Sequence, residues 1–276
     1  LAYQAGRRDY QRNRGADGSH AAAADVPCLW VDEFGVQQND CGKSSAFASA
    51  HGDFVQRRAD KLRQKPTLRL GALWPLDIAG AQKREQTRAA FAQHVRDAAL
   101  DLHHDHATPV PASHKHVSFG LLRMANIDPL FDVAKTLFEM GAPEDTQFHL
   151  CVYHARFPLA QRAAIEQQLD TALNRRDETA VFKDPDIRRA LEQTTATHHL
   201  FIVLASPVCE VGRDWDADWA IAEPSSMRAL IQLAGRVQRH RQQPNGRANL
   251  VIFDTNLRHF DNNRGPDGKP AAIFVR

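Results

Sequence analysis

Six consecutive apolar residues, Leu200-Phe201-Ile202-Val203-Leu204-Ala205, leave few options for the chain that contains them. A strand with one face in water alternates apolar and polar side chains. A strand covered on both faces does not, and double coverage is the habit of parallel sheets whose crossovers are helices. Residues 116–124, 147–153, 217–222 and 250–253 read as companion strands. Between them, Asp128-Pro129 supplies an N-cap and a first-turn proline for a helix bearing Leu130, Val133, Ala134, Leu137 and Phe138. Pro158 opens a helix through Leu173, Asp184-Pro185 starts another through Gln193, and a last one is expected over 225–240. This β/α alternation predicts an α/β fold, a doubly wound, mostly parallel sheet with flanking helices. No internal repeat is present.

Upstream the pattern is weaker. Residues 1–65 are rich in Arg, Gly, Asp and Ala and show little periodicity apart from a helix over 47–62. A clearer helix spans 85–104, where Phe91, Val95, Ala98, Ala99 and Leu102 recur at three- and four-residue steps. A Pro- and His-rich loop over 103–116 closes that region. The expected division is therefore an irregular and helical connector over 1–105 and the α/β domain over 106–276. With 276 residues, 43% of them hydrophobic, a sizeable core is within reach. Thirty-five Lys and Arg against 33 Asp and Glu give a formal charge of +2, so any basic surface must be local. The four cysteines, Cys28, Cys41, Cys151 and Cys209, form no C-x-x-C pair and suggest neither a zinc knuckle nor a disulfide framework. A reducing, cytoplasmic compartment is the expectation. No apolar run approaches the roughly 20 residues of a membrane span, and the start lacks a signal-peptide pattern. The start also lacks Met, and 271–276 read like an element entering further structure, so truncation at both ends is expected.

The densest chemical signal lies in the last helical segment. At helical spacing Gln232, Arg236 and Arg239 share one face, while Leu230 lies about 200° around the axis from Gln232. Two guanidiniums beside a glutamine suit the oxygens of a triphosphate, because arginine offers a fixed fork of donors and keeps its charge. Gly235 costs about 1 kcal/mol relative to Ala in a helix, which the close approach of another surface would explain. A solvated helix with outward arginines satisfies the same spacing. The preceding segment favours a site: Glu210-Val211-Gly212-Arg213-Asp214 follows the buried strand, and α/β sheets bind ligands beyond the carboxyl ends of their strands. Gly212 would admit a nucleotide close to the backbone. Asp214 could accept hydrogen bonds from a ribose or from the arginines. A turn glycine and a helix-capping aspartate are the plainer readings of the pair.

Gln232-x-x-Gly235-Arg236-x-x-Arg239 resembles the sixth motif of superfamily 2 helicases, and Ser206 to Asp218 resembles their fifth. The finer resemblance is to the CRISPR-associated helicase-nuclease family of type I systems, particularly subtype I-F. It is carried by Val117 to Pro129, by Tyr153-His154-Ala155-Arg156-Phe157-Pro158-Leu159 and by Glu210 to Trp219, and it spans nearly the whole chain. Ala2-Tyr3-Gln4-Ala5-Gly6 is similar to the segment just past the third motif of the first lobe. The resemblance implies a RecA-like second lobe over 106–276, preceded by the tail of the first lobe and an interlobe connector. It implies ATP and Mg held mainly by the first lobe, with Arg236 and Arg239 reaching the γ-phosphate, Gln232 beside them, and Gly212, Asp214 and Gly235 bordering the nucleotide. His154, Arg156 and Phe157, with Arg123, would lie near single-stranded DNA. The implied partners are that DNA, the upstream lobe and nuclease domain of the same protein, and a guide-RNA surveillance complex, with no membrane. This chain alone would be inactive.

Three tempting features point elsewhere. Gly42-Lys43-Ser44 lacks the glycine a phosphate loop needs five residues earlier, where Gln37 stands. The run 29–34 could pass for a magnesium-binding strand end, but Pro27 interrupts it. His103-His104-Asp105-His106, with His114 and His116, has metal-ligand residue types, yet an adjacent pair cannot close a site without ligands from separate elements, so no metal is expected. Two readings compete with the DNA motor. One is a non-enzymatic nucleic-acid-binding α/β module. The other is a superfamily 2 motor acting on RNA.

Overall fold

The computed structural model describes residues 29–32, 35–38, 44–78, 83–210 and 212–260. The readings of 2–6, Cys28, Cys41, Gly42, Lys43 and 271–276 concern positions outside the described residues, as does Val211. The chain divides into two compact units, Leu1–Lys65 and Pro66–Arg276. In the first, β1 (Leu29–Asp32) pairs antiparallel with β2 (Gly35–Gln38), and α1 runs over Ser44–Arg63. Lys61 and Arg63 fall in its last turn, where positive charge complements the helix dipole.

The second unit is a seven-stranded sheet between two helical layers. Its elements are β3 (Gly71–Trp74), α2 (Arg84–His106), β4 (Thr108–Pro109), β5 (His116–Arg123), α3 (Ile127–Met140), β6 (Thr146–Tyr153) and α4 (Leu159–Ala172). They continue with α5 (Pro185–Glu192), β7 (His198–Ala205), β8 (Trp219–Ala222), α6 (Met227–Ala234) and β9 (Leu250–Phe253). The strands lie in the order β3-β9-β8-β5-β7-β6, all neighbours parallel, and β4 adds a short antiparallel pairing to β5. This is the doubly wound α/β fold expected.

Alternation along β5 divides the core. Leu122 faces α2 and α3 together with Phe91, Val95, Leu102, Leu130, Val133 and Leu137. Phe119 and Leu121 face α4, α5 and α6 with Leu169, Leu173, Ile187, Leu191 and Leu233. Burial of each such side chain is worth about 1.5–3 kcal/mol, so the apolar periodicity of α2 and α3 is what docks them. Gly120 shows how tightly β5 meets β8. A Cβ there would sit 2.1 Å from the buried Trp219 ring.

Several local expectations change. The compact unit reaches back to Pro66, well before the expected start at 106. The reason is that β3 pairs with β9 and the apolar face of α2 packs on the same sheet as the later strands. The segment 103–116 is not all loop, because α2 continues through His106. The N-cap of α3 is Asn126 rather than Asp128, which sits in the first turn. Asp184 does cap α5, accepting from the amides of Asp186 at 2.9 Å and Ile187 at 3.1 Å. The helix expected over 225–240 ends at Ala234. Beyond Gly235 the chain leaves the helix to pair with the segment before β8: Ala217 bridges Val237, and Gln238 adopts φ 49°.

Candidate functional site

The loops after the carboxyl ends of β5, β6 and β7 bring most of the candidate residues together. Arg123 ends β5, almost fully buried. Its Nε donates to Glu210 Oε1 at 2.7 Å and its Nη1 to the Glu223 carbonyl at 2.9 Å. It ties the strand end to the 206–218 loop instead of facing solvent. Glu223 in turn accepts from the amides of Ala125 and Leu257.

Arg236 comes to the same loop. Its Nη2 donates to the Glu210 carbonyl at 2.8 Å, and its Nε is buried with no partner among the described residues. Burial, then the neighbouring Arg239, lowers its pKa. A charged donor without an acceptor is costly in a protein interior, so an anion there would meet a real deficit. Arg239 is exposed and reaches Asp214, with Nε to Oδ1 at 2.5 Å. Arg176 holds the other oxygen at 2.7 Å, and His240 Nε2 lies 3.2 Å from Oδ1. The Arg239 and His240 hydrogen bonds pull the Asp214 pKa down to about 2. Asp214 thus accepts from the arginines, one of the two roles expected of it. Gly212 has φ 69° with open space where a Cβ would be, so backbone conformation rather than crowding favours glycine there.

The termination of α6 corrects the shared-face picture of Gln232, Arg236 and Arg239. Only Gln232 is on the helix, half-buried and without a side-chain hydrogen bond among the described residues. Gly235 is the C-cap in a right-handed conformation, and the nearest atoms to a Cβ there are the helix's own carbonyls of Gln232 and Ile231. No other described surface presses on it. What redirects the chain is Asp216, fully buried, which accepts from the amides of Arg239, His240 and Arg241 at 3.1, 3.3 and 3.4 Å and from the Arg241 side chain. Asp218 joins Arg241 to Arg175, with Arg175 Nη1 at 2.9 Å, and accepts from the Phe119 amide at 2.7 Å. A buried carboxylate must be compensated this way or it neutralises. Accordingly, Arg175 and Arg241 hold Asp218 below the usual carboxylate range against the opposing effect of burial.

Sequence reasoning gave no role to Asp216, Asp218, Arg175 or Arg241. The two-residue spacing of Asp214, Asp216 and Asp218 beside tryptophans was the available sign of carboxylates turned inward. Arg175 leaves no sign in sequence.

The remaining candidates follow β6. His154 and Phe157 stack at 4.2 Å with 8° between planes, both half-buried. Arg156 between them is exposed and paired with Asp128 of α3. An exposed pair of this kind contributes about 0–1 kcal/mol, so Arg156 can exchange partners readily. Beneath this loop Tyr153 donates to Glu166 at 2.6 Å and receives Arg213 at 3.0 Å. Two histidines of the run His103 to His116 have defined partners. His103 bonds Ser118 at 2.7 Å and His198 at 3.0 Å, and His106 bonds the Ala248 carbonyl. No group of three or more metal-type ligands is present among the described residues. Within the same residues no helix is long and apolar enough to cross a membrane.

Residues 116–242 match the family model described as CRISPR-associated nuclease/helicase Cas3, C-terminal. The chain is 46% identical over 262 residues to the CRISPR-associated nuclease/helicase Cas3 subtype I-F/YPEST of Pseudomonas aeruginosa, covering 94% of this chain and 24% of that protein. It is 41% identical over 270 residues to the protein of the same name from Pectobacterium atrosepticum, again covering 24% of it. The chain therefore spans about a quarter of the length of these relatives. Among solved structures, T. fusca Cas3 with AMPPNP aligns with a TM-score of 0.49 at 17% identity, over 88% of this chain and 24% of that one.

Proposed function

From the match of residues 116–242 to the family model described as CRISPR-associated nuclease/helicase Cas3, C-terminal, we propose that this chain is the second motor lobe of an ATP-dependent DNA helicase or translocase of CRISPR interference. In this reading Pro66–Arg276 is the lobe and the residues before it are the tail of the first lobe and the connector. The observation that carries it is the unsatisfied Arg236 Nε beside Arg239, on a loop framed by Gly212 and Asp214. ATP held by an upstream lobe of the longer protein would meet these guanidiniums. Their work is to stabilise negative charge that develops as the terminal phosphoryl group departs. Gln232, on the last turn of α6, would reach the nucleotide from the helix end, and Arg236 donates to the Glu210 carbonyl of the 206–218 loop. The carboxylates around these arginines, Glu210, Asp214, Asp216 and Asp218, are all engaged by arginine. They do not fit a magnesium ion. Arg156 would hold a backbone phosphate of single-stranded DNA, and the His154 and Phe157 ring pair would stack a base. Arg123 would support that loop region through Glu210 rather than touch the strand. A guide-RNA surveillance complex would bring the whole protein to its DNA.

The test belongs in the full-length protein. Arg236→Ala is expected to lower DNA-stimulated ATP hydrolysis by on the order of 10³-fold while nucleotide-free binding of single-stranded DNA is unchanged. Arg156→Ala should do the reverse, weakening DNA binding and flattening its salt dependence. If Arg236→Ala instead weakens nucleotide-free DNA binding and spares turnover, the chain is a phosphate-binding module. Strand displacement on paired DNA and RNA substrates separates the DNA motor from an RNA motor.

A further inference from the structure

Arg69 lies in the segment that leads into β3 and is half-buried. Its Nε donates to the Val237 carbonyl at 2.7 Å and its Nη2 to the Gln238 carbonyl at 3.4 Å. Both carbonyls belong to the turn between Arg236 and Arg239, whose backbone is held link by link. The Arg236 carbonyl accepts from the Ala217 amide at 2.8 Å, and the Gln238 amide donates to the Ala217 carbonyl at 3.0 Å. The peptide joining Gln238 to Arg239 is held at both polar groups, its carbonyl by Arg69 and its N–H by Asp216 Oδ1 at 3.1 Å. Val237 is fully buried, and Gln238 at φ 49° is in the left-handed region, which a residue with a side chain adopts at a cost. The 67–70 segment has other anchors. Asn249, fully buried, accepts from the Leu70 amide at 3.0 Å and donates its side-chain N–H to the Leu68 carbonyl at 2.9 Å. Its own amide donates to the Leu70 carbonyl at 3.0 Å, the Asn245 amide donates to the Thr67 carbonyl at 2.9 Å, and β3 then pairs with β9. These bonds dock the segment without the guanidinium, which is spent on the turn instead.

We infer that Arg69 is a positioning residue for Arg239: by holding the Val237 and Gln238 carbonyls it fixes the peptide from which Arg239 projects, and with it the aim of that guanidinium at the nucleotide. The inference rests on the motor reading above and adds to it a residue far in sequence from the 206–218 and 225–240 segments. Arginine suits the task because its rigid fork can reach two carbonyls at once and its charge strengthens both bonds. Arg236 is anchored from the other side, by the end of α6 and by Ala217, so loss of Arg69 falls on Arg239. Burial lowers the Arg69 pKa, Asp216 opposes that effect and Arg239 adds to it, which sets the Arg69 charge beside the segment it holds.

The experiment is a double-mutant cycle on DNA-stimulated ATP hydrolysis in the longer protein. Arg69→Ala should lower kcat by about tenfold, because a small displacement of a group that stabilises the transition state is costly. KM for ATP and nucleotide-free binding of single-stranded DNA should be unchanged. In an Arg239→Ala background the same substitution should change kcat by less than about twofold, since the residue it positions is gone. Arg69→Lys, which keeps the charge and loses the fork, should give an intermediate rate, and it carries the cycle if Arg69→Ala does not fold. A local readout accompanies it: in Arg69→Lys the amides of residues 238–241 should exchange hydrogen faster, while those of β5 keep their protection. An equal loss of kcat in both backgrounds would make Arg69 a structural staple and overturn the inference, as would unchanged exchange in the turn. Parental kcat in Arg69→Ala beside a full loss in Arg236→Ala sinks this inference alone. Unchanged hydrolysis in Arg236→Ala sinks the motor reading and this inference with it.

Discussion

At Gly120 the sequence offers a glycine inside an apolar strand, and the structure supplies its reason. The Trp219 indole of the neighbouring strand lies where a side chain would be, with three ring atoms 2.1–2.3 Å from the Cβ position. Both strands are central and the indole is fully buried, so neither can yield cheaply. Gly120→Ala should therefore lower stability by about 1–3 kcal/mol, the usual cost of overpacking, and thermal denaturation would register it. A variant as stable as the parent would mean that the two strands separate more easily than their packing indicates. Asp216 makes the complementary case, an acid whose role no spacing revealed. Asp216→Ala removes the acceptor for three amides and leaves Arg241 beside Asp218 alone, so a loss of about 3–5 kcal/mol is expected. Equilibrium urea denaturation tests it. Asp216→Asn should retain part of the amide capping and fall between the two.

Elements were legible where burial imposes a period and illegible where tertiary bonds override local preference. The uniform run of β7 and the three- and four-residue steps of α2 each answer to a covered face, and both appear nearly as read. The segment 225–240 has helical composition throughout, yet the buried Asp216 takes its last amides and Ala217 pairs with its backbone, so the helix stops at Ala234. That competitor is distant in sequence, so a local pattern cannot show it. The arginines of this segment stand out by residue type, and their arrangement does not. The histidines show the same limit. A run that looked like a loop is the last turn of α2, and its His103 meets His198 and Ser118 while His149 meets His199, with Lys115 Nζ 3.3 Å from His199. Burial, then His198, lowers His103 to about 4, and burial, then His199 and Lys115, lowers His149 to about 4, against an ordinary 6.5. Both are neutral when folded, whereas the unfolded chain binds protons below 6.5. Their contribution is complete above pH 6.5 and is lost as pH falls toward 4, at up to about 1.4 kcal/mol per unit for each ring. The urea midpoint should decline across that window, and replacing His103 and His149 by Gln should flatten the decline. An unchanged slope in the double variant would assign acid sensitivity to other groups.

At the scale of the whole molecule, the described residues of the 206–218 loop present arginines beside carboxylates that are already engaged. The carboxylates of the 206–218 loop are bound to Arg123, Arg239, Arg241 and Arg175, so none is left to position a metal or a water. Phosphoryl transfer needs a backbone cradle for the phosphates, a metal bridging their oxygens and a group that orients the nucleophile, and an arginine finger accelerates only what those parts have assembled. This division of labour predicts that the 276-residue chain alone releases phosphate from ATP no faster than buffer, with or without single-stranded DNA. The measurement is steady-state phosphate release at several protein concentrations. Turnover that scales with the chain, persists through purification and vanishes in Arg236→Ala would show that the chain contains a complete site. Turnover indifferent to Arg236→Ala would mark a contaminating enzyme and leave the division intact. The longer protein should then respond to Arg236→Ala far more strongly than to Arg239→Ala, because Arg236 carries a buried, unpartnered donor while Arg239 already has Asp214 as its acceptor. Equal losses in the two variants would mean that Asp214 gives up Arg239 entirely when nucleotide arrives, leaving both guanidiniums on the phosphate.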